Sequence, residues 1–142
     1  MEDNRFEYIL NLESMIRFFF RQFSNELNRL LGNSLTGTEF SILSHLSTKS
    51  PQIVTELSQE FQVSVSHITH VTDQLVRKQL AQRKRSQLDK RVVEIHITEK
   101  GKNLVEMISQ KKKEYVNQKF SPLTTDEIKL LVRLFHQINH TQ

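Results

Sequence analysis

Cysteine is absent from all 142 residues, which excludes disulfides, thiolate metal sites and thiol-based redox sensing together. Glycine is nearly as scarce: with Gly32, Gly37 and Gly101 alone, no glycine-rich phosphate loop exists. With two prolines and no long polar or Pro/Gly-rich stretch, nothing reads as a linker, and the length suits one compact unit. Long apolar runs are missing too. The best, around Ile16 to Phe20, is interrupted by Arg17 and falls far short of the roughly 20 residues that span a bilayer, so no membrane helix is expected. The start Met1-Glu2-Asp3-Asn4 is acidic where a secretory signal is basic and then apolar, and a cytoplasmic protein is the expectation. No Ser/His/Asp or paired-carboxylate spacing stands out, which argues against an enzyme.

What is present is a concentration of positive charge. Between residues 77 and 91, Arg77, Lys78, Arg83, Lys84, Arg85, Lys90 and Arg91 face a single acid, Asp89, so this segment carries +6 of a chain whose net charge is only +4. A compact basic patch on an otherwise slightly acidic chain is the footprint of a polyanion, and nucleic acid is the commonest one. The alternative is a solvated surface.

Apolar periodicity predicts a mainly α protein. Ile9, Leu12, Ile16, Phe19, Phe23, Leu27 and Leu30 recur at gaps of three or four over residues 6–31, and Gly32-Asn33 is a stop signal. Phe6, Phe18, Phe20 and Leu31 widen that stripe beyond the need of one small domain, which marks the first helix for dimerisation. Thr36-Gly37-Thr38-Glu39 reads as a capping box opening a second helix to about Leu46. Residues 47–51 read as a turn, and a short third helix is expected from about Ile53 to Phe61. Gln62-Val63-Ser64 then leads into a fourth helix, with Ser64 as N-cap and Val65, Ile68, Val71, Thr72, Leu75 and Val76 as its packed side. The third and fourth helices have helix-turn-helix proportions.

After Leu80 the pattern changes to alternation, with Val93, Ile95 and Ile97 on one side of a strand and Val92, Glu94 and His96 on the other. Arg83, Lys84 and Arg85 fall on the partner strand, and residues 86–90 make the hairpin loop. Thr98 caps a helix from Glu99 to about Phe120, with Lys111, Lys112 and Lys113 on its charged face. Ser121-Pro122 ends it, and Thr124-Thr125-Asp126-Glu127 opens a last helix to about Asn139 whose apolar side is Ile128, Leu131, Leu134, Phe135 and Ile138. The fold class expected is therefore mainly α with a small β-hairpin wing. Residues 1–34 are expected as an N-terminal dimerisation helix and 35–98 as a winged helix-turn-helix domain, while 99–142 are expected as two C-terminal helices.

At 3.6 residues per turn, Ser66, His67, Thr69, His70, Asp73, Gln74 and Arg77 share the polar face of the fourth helix. With Ser64 at its start, this face can bond to base edges and phosphate oxygens from within a major groove, and the alternative is an ordinary wet surface. The hairpin, carrying Arg83, Lys84, Arg85, Lys90 and Arg91, has the chemistry to reach an adjacent minor groove. Asp89 is the odd residue. It reads either as orienting an arginine, Arg91 or one on the fourth helix, through a charge-assisted bond, or as turn chemistry.

Over nearly its whole length the chain resembles MarR-type transcriptional regulators. The resemblance rests on Leu35-Thr36, Leu57-Ser58, Val63-Ser64, Leu75, Leu80, Arg83, Asp89-Lys90-Arg91 and Thr98-Glu99-Lys100-Gly101, the last two being the most specific. It implies a homodimer with interlocking N- and C-terminal helices, residues 99–142 being C-terminal dimerisation helices, one winged helix per subunit on pseudo-palindromic double-stranded DNA, and Arg91 as the wing-tip arginine with Asp89 its partner. Gln62 and Gln79 stand where the family usually has glycine, so φ > 0 is expected there at a cost of roughly 1 kcal/mol each. Oxidant sensing through a first-helix cysteine is excluded.

Three other readings carry less weight. His136 with His140, and His67 with His70, have helical spacing but no completing ligands, so neither a metal site nor a cofactor is expected. Phe18, Phe19 and Phe20 read first as core or interface and second as the lining of a small-molecule effector pocket. Rival functions are a winged-helix protein-interaction module and a catalytic DNA-acting protein, the latter supported only by Asp73 and Asp89.

Overall fold

In the computed structural model, which describes residues 4–140, the chain forms two compact units, one reaching to Ile108 and one beginning at Ser109. The acidic residues 1–3 read from the sequence lie outside the described residues.

The first unit begins with α1 (Arg5–Leu31), ended by Gly32 at φ 58°. Then follow α2 (Gly37–Thr48), β1 (Gln52–Ile53), α3 (Val54–Phe61), α4 (Val65–Arg77), β2 (Ala81–Arg85) and β3 (Val93–Ile97). α5 (Glu99–Lys119) starts in this unit and runs into the second, which ends with α6 (Thr125–Asn139). The order and type of the predicted elements hold, with one addition. Gln52 and Ile53 pair antiparallel with Ile95 and Glu94, so the wing is the outer part of a three-stranded sheet ordered β1-β3-β2. Ile53, expected inside the third helix, is instead its extended N-cap.

The core of the first unit is the inward side of its helices closed by the sheet. Ile42, Leu43, Leu46, Leu57, Ile68, Leu75 and Ile95 are almost completely buried, and Leu80 and Ala81 seal the strand start. Burial of one such leucine stabilises by about 1.5–3 kcal/mol, and this cluster fixes how α4 sits on α2 and α3. Val65, expected on the packed side, is exposed because the first turn of α4 projects past the core. Val93 is exposed for a similar reason: it lies at the outer end of the wing, where nothing covers the face that Ile95 buries.

Both predicted capping boxes have their threonine cap, but they differ in kind. Thr124 and Glu127 form a complete capping box, each side chain taking the other's backbone N–H. The Thr124 N–H donated to Glu127 holds that carboxyl below the usual range. Thr36 accepts from the Glu39 N–H, yet the Glu39 carboxylate does not cap back. It is buried and accepts from Lys78 Nζ at 2.6 Å, while the same ammonium donates to the Ser34 carbonyl at 3.1 Å. The end of α4 is thereby tied to the turn between α1 and α2. Lys78→Met leaves the Glu39 charge buried without its cation, and a loss of about 1–3 kcal/mol in urea unfolding is expected. Adding Glu39→Gln should recover part of that loss; no recovery would show that the pair does not carry the effect.

Candidate nucleic-acid interface

Ser64 caps α4, its hydroxyl accepting from the His67 N–H at 3.1 Å and lying 3.1 Å from the Ser66 hydroxyl. α3 ends just before it with Gln62 in the left-handed region at φ 52°, and Gln79 follows α4 at φ 63°. Both glutamines thus take the positive φ expected of them, and the two tight turns fix the ends of α4. Ser66, His67, His70 and Arg77 are exposed along one side, with Thr69 and Gln74 half-buried beside them. Thr69 donates back to the Val65 carbonyl at 2.9 Å.

Asp73, on the same face, is not free. The Arg83 guanidinium donates to its carboxylate and, at 3.1 Å, to the hydroxyl of buried Thr72. This brace fastens β2 to α4 and neutralises the one acid on the polar face. Arg83 is therefore a strut between helix and wing, while Lys84 and Arg85 remain exposed farther along the strand. Lys78 likewise belongs to the basic segment in sequence but turns inward to Glu39.

The wing tip is a closed hydrogen-bonded turn. Buried Ser86 donates its backbone N–H to the Val92 carbonyl at 2.8 Å, and its hydroxyl accepts from the N–H groups of Leu88 and Asp89. The Val92 N–H returns to the Asp89 carbonyl at 3.0 Å, and Arg85 Nη1 donates to the Lys90 carbonyl at 2.9 Å. Asp89 fills both roles open to it. Its Oδ1 accepts from the backbone N–H and Nε of Arg91, each at 3.1 Å, and its Oδ2 accepts from Arg91 Nη2 at 3.2 Å. Arg91 is held by this fork while its side chain stays 91% exposed. Ser86 and the Asp73–Arg83 brace are the parts that sequence reading missed. An acid ten residues from an arginine has no spacing signature, whereas the Ser86 bonds, to the N–H groups two and three residues on, follow the local pattern of serine turns.

The Arg91 guanidinium and N–H hold the Asp89 carboxyl below its ordinary value of 3.8. Because the folded value is depressed, the fork is intact above the ordinary aspartate range and is lost only as pH falls through the lower folded value. A carbon-detected NMR titration should place the Asp89 midpoint below 3.8 and move it upward in Arg91→Ala. An unchanged midpoint in the variant would rule out the fork.

Among the described residues no group of three or more His, Asp or Glu is placed to hold a metal ion. His136 and His140 stack with ring centroids 5.9 Å apart. Phe18, Phe19 and Phe20 lie exposed along α1, with Phe19 stacked on Phe23. The second unit has an apolar groove of 640 Å³ lined by Val116, Phe120, Ile128, Leu131, Phe135 and His136 among others. No described helix is long and apolar enough to cross a membrane.

Residues 29–108, from the end of α1 to the first part of α5, match the family model of the transcriptional regulators SarA/Rot. The chain belongs to the SarA/Rot family. The HTH-type transcriptional regulator YpoP of Bacillus subtilis, itself uncharacterised, is 39% identical over 135 residues, covering 95% of this chain and 96% of its own. Among solved structures, a MarR family protein from Bacillus stearothermophilus superimposes with a TM-score of 0.77 at 23% identity, over 98% of this chain and 96% of its own. A mutant of MepR from S. aureus bound to an oligodeoxyribonucleotide does so with a TM-score of 0.70 at 18% identity, over 92% and 98%. The SarA/Rot chain is thus a transcriptional regulator with a MarR-like winged helix-turn-helix fold, and the resemblance read from its sequence holds.

Proposed function

We propose that this SarA/Rot regulator is a cytoplasmic homodimeric repressor that grips pseudo-palindromic duplex DNA through α4 and the wing. One observation carries the reading: a polar helix face, cleared of unpaired acid by Arg83, is joined by that brace to a wing whose exposed guanidinium is held in place by Asp89. Ser64, Ser66, His67, Thr69, His70, Gln74 and Arg77 would meet base edges and phosphates in the major groove. Lys84, Arg85 and Lys90 would meet the backbone, and Arg91 the flanking minor groove. The DNA-bound MepR structure, which shares the fold, supports this docking.

The dimer is supported by apolar surface left bare on one copy. Phe6, Leu10, Leu12, Met15, Phe18 and Phe20 on α1 are each more than half exposed, and α6 has no buried residue. In this scheme residues 1–34 and 99–142 make the subunit contact around the central winged domain. Two α4 helices would then enter successive major grooves about 34 Å apart, and an effector that altered this spacing would release the DNA. Selection of bound duplexes from random DNA tests the scheme. A two-fold symmetric consensus with half-sites one turn apart is expected, and an asymmetric one would count against the dimer.

A further inference from the structure

Leu88, in the turn between β2 and β3, is 100% exposed. Its backbone is held in the turn, since its N–H goes to the buried Ser86 hydroxyl at 3.2 Å and the next N–H goes to the same oxygen. The turn therefore fixes an apolar side chain outward, with exposed Arg85, Lys90 and Arg91 close to it in the same tip. A leucine standing wholly in water gains most from any apolar cover, but a purely apolar protein surface would have to desolvate the neighbouring cations. What suits the tip is a partner that is polyanionic at its rim and apolar within. The minor groove of duplex DNA has that arrangement, with phosphates along its edges and sugar and base surfaces inside, and apolar side chains do enter it.

Resting on the DNA reading above, we infer that Leu88 enters the flanking minor groove beside Arg91 and is a specificity-determining residue of the wing. The guanidinium is drawn by the negative potential of the groove, and the leucine covers its floor. A G·C pair puts a 2-amino group on that floor, whereas A·T and inosine·C pairs do not, so the leucine discriminates by shape where the arginine discriminates by potential.

The test uses the full chain and a duplex recovered by selection, with A·T, G·C or inosine·C pairs placed in the flanks. Leu88→Ala should weaken binding about tenfold with the salt dependence unchanged, because no phosphate contact is lost. It should also shrink the preference of the wild type for A·T and inosine·C over G·C, and Leu88→Met should restore most of both. Wild-type affinity and flank preference in Leu88→Ala, alongside weakened binding in Arg91→Ala, overturn the inference and leave the DNA reading intact. If the wild type shows no salt-dependent duplex binding, both fall. Unchanged duplex affinity with lost adsorption to phosphatidylserine vesicles would assign Leu88 to a membrane surface and likewise overturn it.

Discussion

Arg91→Ala should lower affinity for selected duplex DNA by about 2–4 kcal/mol per dimer, a loss of 30-fold or more, with no change in the circular dichroism of the protein. The fold is spared because the side chain is 91% exposed and its guanidinium is bonded to Asp89, two residues away in the same turn. Plots of log affinity against log salt should flatten by about one unit for each wing. Arg91→Lys separates charge from shape. It keeps the cation and hence most of the salt dependence, but an ammonium cannot take the two-oxygen fork that Asp89 offers to Nε and Nη2, so part of the affinity should still be lost. If Arg91→Ala binds as the wild type does at every salt concentration, the wing is not part of the interface.

The second large effect is on folding. Gly101 sits in the first turn of α5, where a Cβ would lie 2.3 Å from the Leu80 carbonyl oxygen and 2.8 Å from Ile97 Cγ1. That carbonyl is not free to retreat. It accepts from the Thr98 N–H at 3.1 Å, and the Leu80 N–H is itself bonded to the Leu75 carbonyl at the end of α4. Gly101→Ala must break this knot or bend the helix start, and a loss of roughly 2–4 kcal/mol is expected in urea unfolding, with a melting point about 10 °C lower. Gly37→Ala is the control. Its Cβ would meet only Asn28 Oδ1 at 3.9 Å, so stability should change by no more than about 0.5 kcal/mol. A gain at Gly101, as helix propensity alone would give, or a loss no larger than at Gly37 would mean that the contact with Leu80 does not govern the effect.

The same knot explains why Thr98-Glu99-Lys100-Gly101 was among the most telling parts of the sequence. Thr98 accepts from the Gly101 N–H and donates to the Gln79 carbonyl, and Lys100 Nζ reaches the Lys78 carbonyl. One short stretch thus anchors the turn after α4 and starts α5. Such local devices are legible because their partners lie at fixed spacing, as with the Ser64 cap, the Thr124 box and the Asp89-to-Arg91 fork. The positive φ of Gln62 and Gln79 was legible only through the resemblance, since glutamine alone gives no hint of it. What sequence could not show depends on partners brought from afar. β1 is two residues long, too short for alternation, and exists because Ile95 and Glu94 arrive beside it. Glu39 has the spacing of a capping residue but is captured by Lys78, 39 residues on. Asp73 looked like a weak catalytic hint and is a brace. Val65 followed the apolar stripe of α4 yet lies beyond the core, because periodicity gives a direction and not the extent of what it faces.

Residues 5–22 of α1 are all exposed in the single chain, whereas the helix below them closes on Leu31 and Leu35. A helix of that length without tertiary cover is marginal in water, since nucleation is costly and propagation gains little per residue. If a second copy supplies the cover, this half of α1 becomes firm in a bimolecular step and the winged domain does not wait for it. Dilution would then loosen the outer turns of α1 while the region around Leu75 and Ile95 keeps its slow amide exchange, so the amount of regulator in the cell would itself set how much of it is assembled to act.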